Sequence, residues 1–273
     1  NFAKVRNHGV DLSIDYGKQI SKDFTLQFKG TFTFARNKVL EYDEAPGLRP
    51  GMKTVGRRLN TFLGYVTNGL YENYTDVEES PTSTLGNIAI SPGDIKYVDQ
   101  PDANGNYDGR ITSDDRVEIG DPWIPEIVYG FGPSMRWKNW DFSFFFQGQT
   151  NVSLIMENFE PFGERSARGV LAWIADDYWS PDYPNVNAKH PRLTRLTNNH
   201  NMQVSTYWLR DASFLKLKNV ELGYSYKKAR FYISGSNLLT ISPFKHWDPE
   251  VGTGAGMQYP TQRIFNLGIQ MSF

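Results

Sequence analysis

Residues 263–273 follow a two-residue period. Phe265, Leu267, Ile269, Met271 and Phe273 are apolar, and Asn266, Gly268, Gln270 and Ser272 between them are small or polar. Side chains of an extended chain alternate between two faces, so this stretch is a strand with one apolar and one polar side. A strand of a soluble sandwich and a strand of a membrane-spanning barrel meet that description equally. Recurrences of the pattern upstream decide between them.

The clearest recurrence places Phe24, Leu26, Phe28, Phe32 and Phe34 on one face, opposite Thr25, Gln27, Lys29, Thr31 and Thr33. Before it, Val10, Leu12, Ile14 and Tyr16 alternate with Asp11, Ser13 and Asp15 over residues 8–16. Later come Ile127, Tyr129, Phe131, Met135 and Trp137, then Trp140, Phe142, Phe144 and Phe146 facing away from Asp141, Ser143, Gln147 and Gln149, with Phe145 breaking the polar side. Residues 214–226 and 230–239 add two more strands. Long strands with a wholly apolar face suit a wall between lipid and water, whereas soluble antiparallel sheets seldom carry strands this long.

The spacing of these strands gives the topology. Short turns (residues 17–22, 138–139 and 227–228) alternate with long connections (37–125, 151–207 and a Gly-rich stretch at 252–256). Up-and-down membrane barrels have short turns on the periplasmic side and long loops outside. Parity then excludes a full strand between residues 34 and 127, so the apolar run at 62–71 belongs to the loop. About seven spanning strands remain. Single-chain barrels have even counts, so the expected fold is all-β: an antiparallel transmembrane barrel sector with long extracellular loops, the first being 37–125. A short loop helix is expected around 169–179. Tyr16, Phe24, Trp137, Trp140, Tyr224, Tyr226 and Phe273 fall beside the short turns or at the chain end, where an aromatic girdle marks the periplasmic interface.

Composition removes other classes. A net charge of −1 among 273 residues gives no reason to expect nucleic acid. The absence of Cys excludes cysteine-ligated zinc and disulfides. No apolar run approaches the roughly 18 residues of a membrane helix. Residue 1 opens directly into strand-like sequence without a leader, which points to a chain that begins inside a larger protein.

Chemistry-bearing motifs are sparse. Residues 104–115 have the spacing of an EF-hand calcium loop: Asn104, Asn106 and Asp108 at positions 1, 3 and 5, Gly109 at the turn, the Arg110 carbonyl at 7 and Asp115 at 12, with Ile111 as apolar anchor. Asn at position 1 and the shorter Asp at 12 predict weak Ca²⁺ binding, with Mg²⁺ or no cation as alternatives; an Asn/Asp/Gly turn held by its own side chains reads the same way. The four histidines lack metal-ligand spacing and no nucleophile has a partner, so no enzyme activity is expected. Trp123, Tyr107, Trp173, Trp179 and Trp208 are candidates to stack on sugars, and the sequence does not choose among them.

Several blocks together resemble a known family. Gly93-Asp94-Ile95-Lys96-Tyr97, Asp108-Gly109-Arg110-Ile111 with Asp115-Arg116, Ile119-Gly120-Asp121-Pro122, Tyr178-Trp179-Ser180-Pro181, the run from Leu209 to Val220, Gly223-Tyr224, Ser236-Asn237-Leu238-Leu239, Trp247-Asp248-Pro249-Glu250 and Tyr259-Pro260 stand in the order found in the C-terminal third of SusC/RagA-like TonB-linked outer-membrane transporters. The resemblance covers most of the chain from residue 65 onward. It implies a 22-stranded barrel with a plugged lumen, a SusD-like surface lipoprotein as lid, drive from the TonB complex, and an oligosaccharide or peptide cargo. Asn266, Gly268, Met271 and Phe273 resemble the family's barrel-assembly signal, with a periplasmic C-terminus. The plug and TonB box are not in this sequence, so the remaining barrel and plug are expected partners. Two other readings stay open: a soluble, calcium-dependent glycan-binding β-domain, and a TonB receptor for siderophores.

Overall fold

Alternation at this length needs strands of matching length beside one another, and the computed structural model has them. It describes residues 3–157, 162–163, 166–167 and 170–272. Seven long strands form one antiparallel sheet in chain order: β1 (Lys4–Gln19), β2 (Phe24–Glu41), β3 (Ile127–Trp137), β4 (Trp140–Thr150), β5 (Phe214–Tyr226), β6 (Ala229–Ile241) and β7 (Ile264–Met271). This is the antiparallel barrel sector the periodicity predicts. Its boundaries are wider than expected: β1 and β2 both outrun their apolar stripes, so the first turn moves to residues 20–23. Among the described residues, no helix is long and apolar enough to cross a membrane.

Register carries one face across the whole sheet. Phe34 pairs with Val10 and Ile127, Phe32 with Leu12 and Tyr129, and Leu26 with Met135. Met135 pairs with Phe142, Phe142 with Leu222, Leu222 with Ile233, and Ile233 with Leu267. The rings near the short turns also form a row: Phe24 opposes Trp137, which opposes Trp140, which opposes Tyr224. The Trp140 and Tyr224 centroids are 4.7 Å apart. Val10 is 60% exposed, Trp137 56% and Leu267 83%. A continuous apolar face this open lacks a cover among the described residues, as expected of a surface meant for lipid.

Strict alternation fails in β5, and the structure shows why the face survives. Phe144 opposes Val220 but Phe146 opposes Leu217, so the register shifts around Lys218 and Leu215, Leu217, Val220 and Leu222 keep one side. A bulge inserts one residue and resets the parity. Phe145, the aromatic intruder on the polar face, lies over Gly130, where an added Cβ would meet its ring at 2.7 Å. The turns at 138–139 and 227–228 begin with left-handed Lys138 and Lys227, both at φ 53, the primed-turn geometry that matches strand twist.

The long connections fold into a cap at the other end. Residues 62–71 form two short strands outside the large sheet, Phe62–Gly64 and Thr67–Leu70, in agreement with the parity argument. A six-residue helix, Tyr74–Glu79, occupies the acidic stretch and has Asn73 as its N-cap. The helix expected around 169–179 is reduced to one turn, Ala172–Ala175. Of the four assembly-signal residues, Asn266, Gly268 and Met271 lie on β7, and Phe273 lies outside the described residues.

Candidate functional site

The cap has a hydrophobic core of its own. Ile95, Ile111, Leu154, Ile155 and Ile174 are each at most 1% exposed, and the rings of Tyr65, Tyr97, Trp179 and Trp208 pack with them. Within that core Asp94, at 0% exposure, accepts from Arg192 Nε (2.7 Å) and Nη2 (3.0 Å), Asn198 Nδ2 (2.9 Å), Asn201 Nδ2 (2.9 Å) and the Ser91 amide (2.9 Å). One carboxylate thus ties the 91–97 segment to the 192–201 segment about a hundred residues away. His200, also buried, places Nε2 2.7 Å from the Ile95 carbonyl and Nδ1 3.1 Å from Ser83 Oγ. Burial pushes its pKa down, so it is a structural neutral imidazole.

The 104–115 motif folds as a turn in which Asp102 and Arg49 gather the hydrogen bonds. Asp102 Oδ1 accepts from the amides of Asn104 (2.7 Å) and Asn106 (2.9 Å). Arg110 gives its amide to Asp108 Oδ1 at 2.9 Å. The Arg49 guanidinium sits among the acidic members, donating to Asp108 Oδ2 at 2.6 Å, Asp115 Oδ1 at 2.8 Å and the Gln100 carbonyl at 2.6 Å. Asp115 is fully buried and caps its own 3-10 turn through the Thr112 amide at 2.7 Å. Asp99, 3.7 Å from Arg49, completes the nest; burial and the charges of Asp115 and Asp108 push its carboxyl up, against the hydrogen bond from the Gly109 amide. The two carboxylates of the expected ligand set, Asp108 and Asp115, thus both have Arg49 as a partner. Among the described residues, no group of three or more His, Cys, Asp or Glu is placed to hold a metal. The anchor role of Ile111 holds, at 0% exposure.

The structure also sorts the candidate sugar-stacking rings. Trp179 and Trp208 belong to the core, at 7% and 6% exposure, and Trp173 packs against that core with its ring 4.6 Å from His246. Tyr107 is exposed on the 104–115 turn. Trp123, 49% exposed, stands over a cavity of about 580 Å³, within the range of small-molecule sites. Its ring is 5.4 Å from Phe62 at 58°. Gln149 at the loop end of β4, Ser153, Glu250 and Thr253 contribute the polar lining.

Trp123 is held by its backbone, and two arginines tie down the residues that flank it. Its amide donates to the Asn60 carbonyl at 2.9 Å, and the Asp121 amide donates to Ser153 Oγ at 2.9 Å. Arg58 reaches Glu118 (3.1 Å), Asp121 (3.0 Å) and the Gly120 carbonyl (2.9 Å). Arg36 makes a bidentate pair with Glu126 at 2.9 and 2.6 Å. Burial pushes the Glu126 carboxyl up, but the Arg36 hydrogen bond and the charges of both arginines hold it below its usual value. A rigidly held aromatic costs little entropy on binding, so this geometry is preorganised.

The charges beside the cavity are already balanced. Lys216, fully buried, donates to both Asp248 oxygens at 2.6 Å and also pairs with Glu250, and Lys218 meets Glu250 at 2.8 Å. What remains for a ligand is neutral. Gln149 donates to the Ala212 carbonyl at 3.3 Å, which leaves its own side-chain oxygen, while Ser153 and Thr253 accept from amides and keep their hydroxyl protons. Rings beside amide and hydroxyl groups suit recognition by stacking and neutral hydrogen bonds.

Comparison with known proteins now bears on this cap and sheet together. No family model matches the chain. The whole chain aligns with TonB-dependent receptor P3 of Formosa agariphila at 27% identity over 308 residues, and with TonB-dependent receptor SusC of Bacteroides thetaiotaomicron at 26% over 293 residues. The chain is similar to these receptors over its whole length. The solved RagAB peptide transporter has the same fold, with a TM-score of 0.74 at 24% identity over 100% of this chain and 30% of that one. The chain spans 29% of P3 and 27% of SusC, so it corresponds to less than a third of these relatives. The blocks that carried the resemblance include Asp94, Ile111, Asp121-Pro122, Trp179, Lys216 and Asp248, which the structure places in the cap core and in the ion-paired rim of the cavity.

Proposed function

We propose that this SusC/RagA-like chain forms wall and mouth of a TonB-driven importer in the bacterial outer membrane. Its short turns and C-terminus would face the periplasm and its cap the outside. The carrying observation is a seven-stranded sheet with one continuous apolar face, aligned over its whole length with TonB-dependent receptors. The rest of the barrel and the plug would complete the lumen, a SusD-like lipoprotein would close over the cap, and the TonB complex would act through the plug. The proposed role is binding and passage rather than catalysis.

For cargo we favour an uncharged oligosaccharide over a peptide. Trp123 and Phe62 offer ring faces, Gln149, Ser153 and Thr253 offer neutral partners, and Glu250 is neutralised by two lysines. A peptide terminus or charged side chain would find no free counter-charge there. The test is deletion of the full-length transporter, followed by growth on defined oligosaccharides, peptides or ferric chelates as the limiting nutrient. Loss of growth on glycans alone is expected; loss confined to peptides or ferric chelates would replace the oligosaccharide reading. In the restored strain, Trp123→Ala should weaken cargo binding roughly 5- to 150-fold, as when a base-stacking ring is removed, with normal surface levels. Unchanged affinity would remove the cavity from the transport path.

A further inference from the structure

Five lysines gather at the short-turn end of the sheet. Residues 17–23, 138–139 and 227–228 contain Lys18, Lys22, Lys138, Lys227 and Lys228 against Asp23 alone, in a chain whose net charge is −1. The turns are stitched into one edge. Lys138 donates its amide to the Asp23 carbonyl at 2.8 Å, Ser225 to Asn139 at 2.8 Å and Ser272 to Lys228 at 2.9 Å. The hairpins led by Lys138 and Lys227 are two strands apart, about 10 Å. Among the described residues, none of the five lysines makes an ion pair.

Three of these cations lie on the apolar side. Lys18 pairs with Leu26, two residues past Tyr16, on the face shared by Tyr16 and Phe28. Lys138 Nζ lies 5.7 Å above the Trp137 ring and Lys227 Nζ 5.4 Å above the Tyr226 ring. Both rings are over half exposed on that same face, at 56% and 54%. The ammoniums thus fold back onto the girdle instead of reaching beyond the rim, at the depth where lipid headgroups begin. A ring face below each ammonium leaves its upper side open for an anion.

We propose that this rim binds the phosphates of anionic phospholipids in the leaflet that the short turns face. A zwitterionic headgroup fits less well, because its own cation would meet further ammoniums, with Asp23 as the one acidic residue of the turns at 17–23, 138–139 and 227–228. A periplasmic protein fits less well too, because the cations of Lys18, Lys138 and Lys227 sit on the lipid-facing side. The inference rests on the membrane reading, and the experiment separates the two.

The full-length transporter is reconstituted into nanodiscs of phosphatidylcholine with or without phosphatidylglycerol, and co-purifying lipid is counted by native mass spectrometry. The parent should retain phosphatidylglycerol in preference to phosphatidylcholine. The variant K18Q/K138Q/K227Q should lose that preference by on the order of five-fold per lysine, the corresponding arginine variant should keep it, and high salt should weaken it. Equal retention of both lipids by the parent, or an unchanged preference in the glutamine variant, would overturn the proposal while leaving the barrel reading intact. Failure of the parent to enter nanodiscs at all would overturn both.

Discussion

Asp94→Ala is the substitution with the largest consequence for the cap that can be worked from the structure. It removes an acceptor for five hydrogen bonds. Arg192 is 21% exposed along its side chain and recovers water, whereas Asn201, at 5%, does not. Each buried donor left unsatisfied costs about 1–3 kcal/mol, and breaking a buried charge pair costs about 3–5 kcal/mol. These contributions overlap, so we expect a loss of about 3–5 kcal/mol in the local stability of the cap. With 1.4 kcal/mol per factor of ten, amide exchange in residues 95–98 and 200–208 should accelerate by roughly 150- to 4000-fold. Hydrogen exchange with mass spectrometry on the full-length transporter reads this directly, and the strands of the sheet serve as internal reference. Asp94→Asn keeps the shape and one carbonyl acceptor and should cost about half as much. Acceleration of less than ten-fold in Asp94→Ala, or acceleration spread equally over β1–β7, would refute the view that one carboxylate holds the two cap segments together.

Two further outcomes follow from ion pairs in the loops. Burial pushes the Asp248 and Glu250 carboxyls up, but hydrogen bonds from Lys216 hold both below their ordinary values of 3.8 and 4.5. A depressed folded pKa contributes stability that is complete above the ordinary value and lost as pH falls through the folded one, so residues 242–263 should resist proteolysis down to about pH 4 and become cleavable below it. Cleavage independent of pH in that window would refute the latch. In the 104–115 turn, Arg49→Met should lower cap stability by about 3 kcal/mol, because Asp115 is left charged and fully buried without its cation partner, and chelator should leave the parent's melting unchanged. A chelator-dependent drop restored by Ca²⁺ would assign Asn104, Asn106, Asp108, Arg110 and Asp115 the role of cation ligands.

Much of the wall was legible in the sequence because a strand writes its burial at a period of two. Phe24 to Phe34 and Phe265 to Met271 declare their apolar faces without reference to any neighbour, and turn length then fixes which strands pair. The site was less legible. Trp123, Trp179 and Trp208 look alike in sequence, since a ring that packs and a ring that binds are the same residue. Arg49 lies some sixty residues from Asp108 and Asp115, so no local spacing could disclose that a guanidinium enters their loop. The signal that was available is the charge itself: aspartates in a folded loop need cationic partners, and the Arg49 guanidinium is one that the chain supplies.

The division has a physical cause. Sequence by itself determined the seven alternating strands, the order of short and long connections, the girdle rings and the family blocks, all of them periodic or local. Tertiary structure decided the bulge at Lys218 that keeps Leu217 and Val220 on one face, the closure of the cap on Asp94, and the placing of Trp123 beside the cavity. Those features depend on contacts between segments far apart in the chain, whose energies appear only after the loops have been brought together.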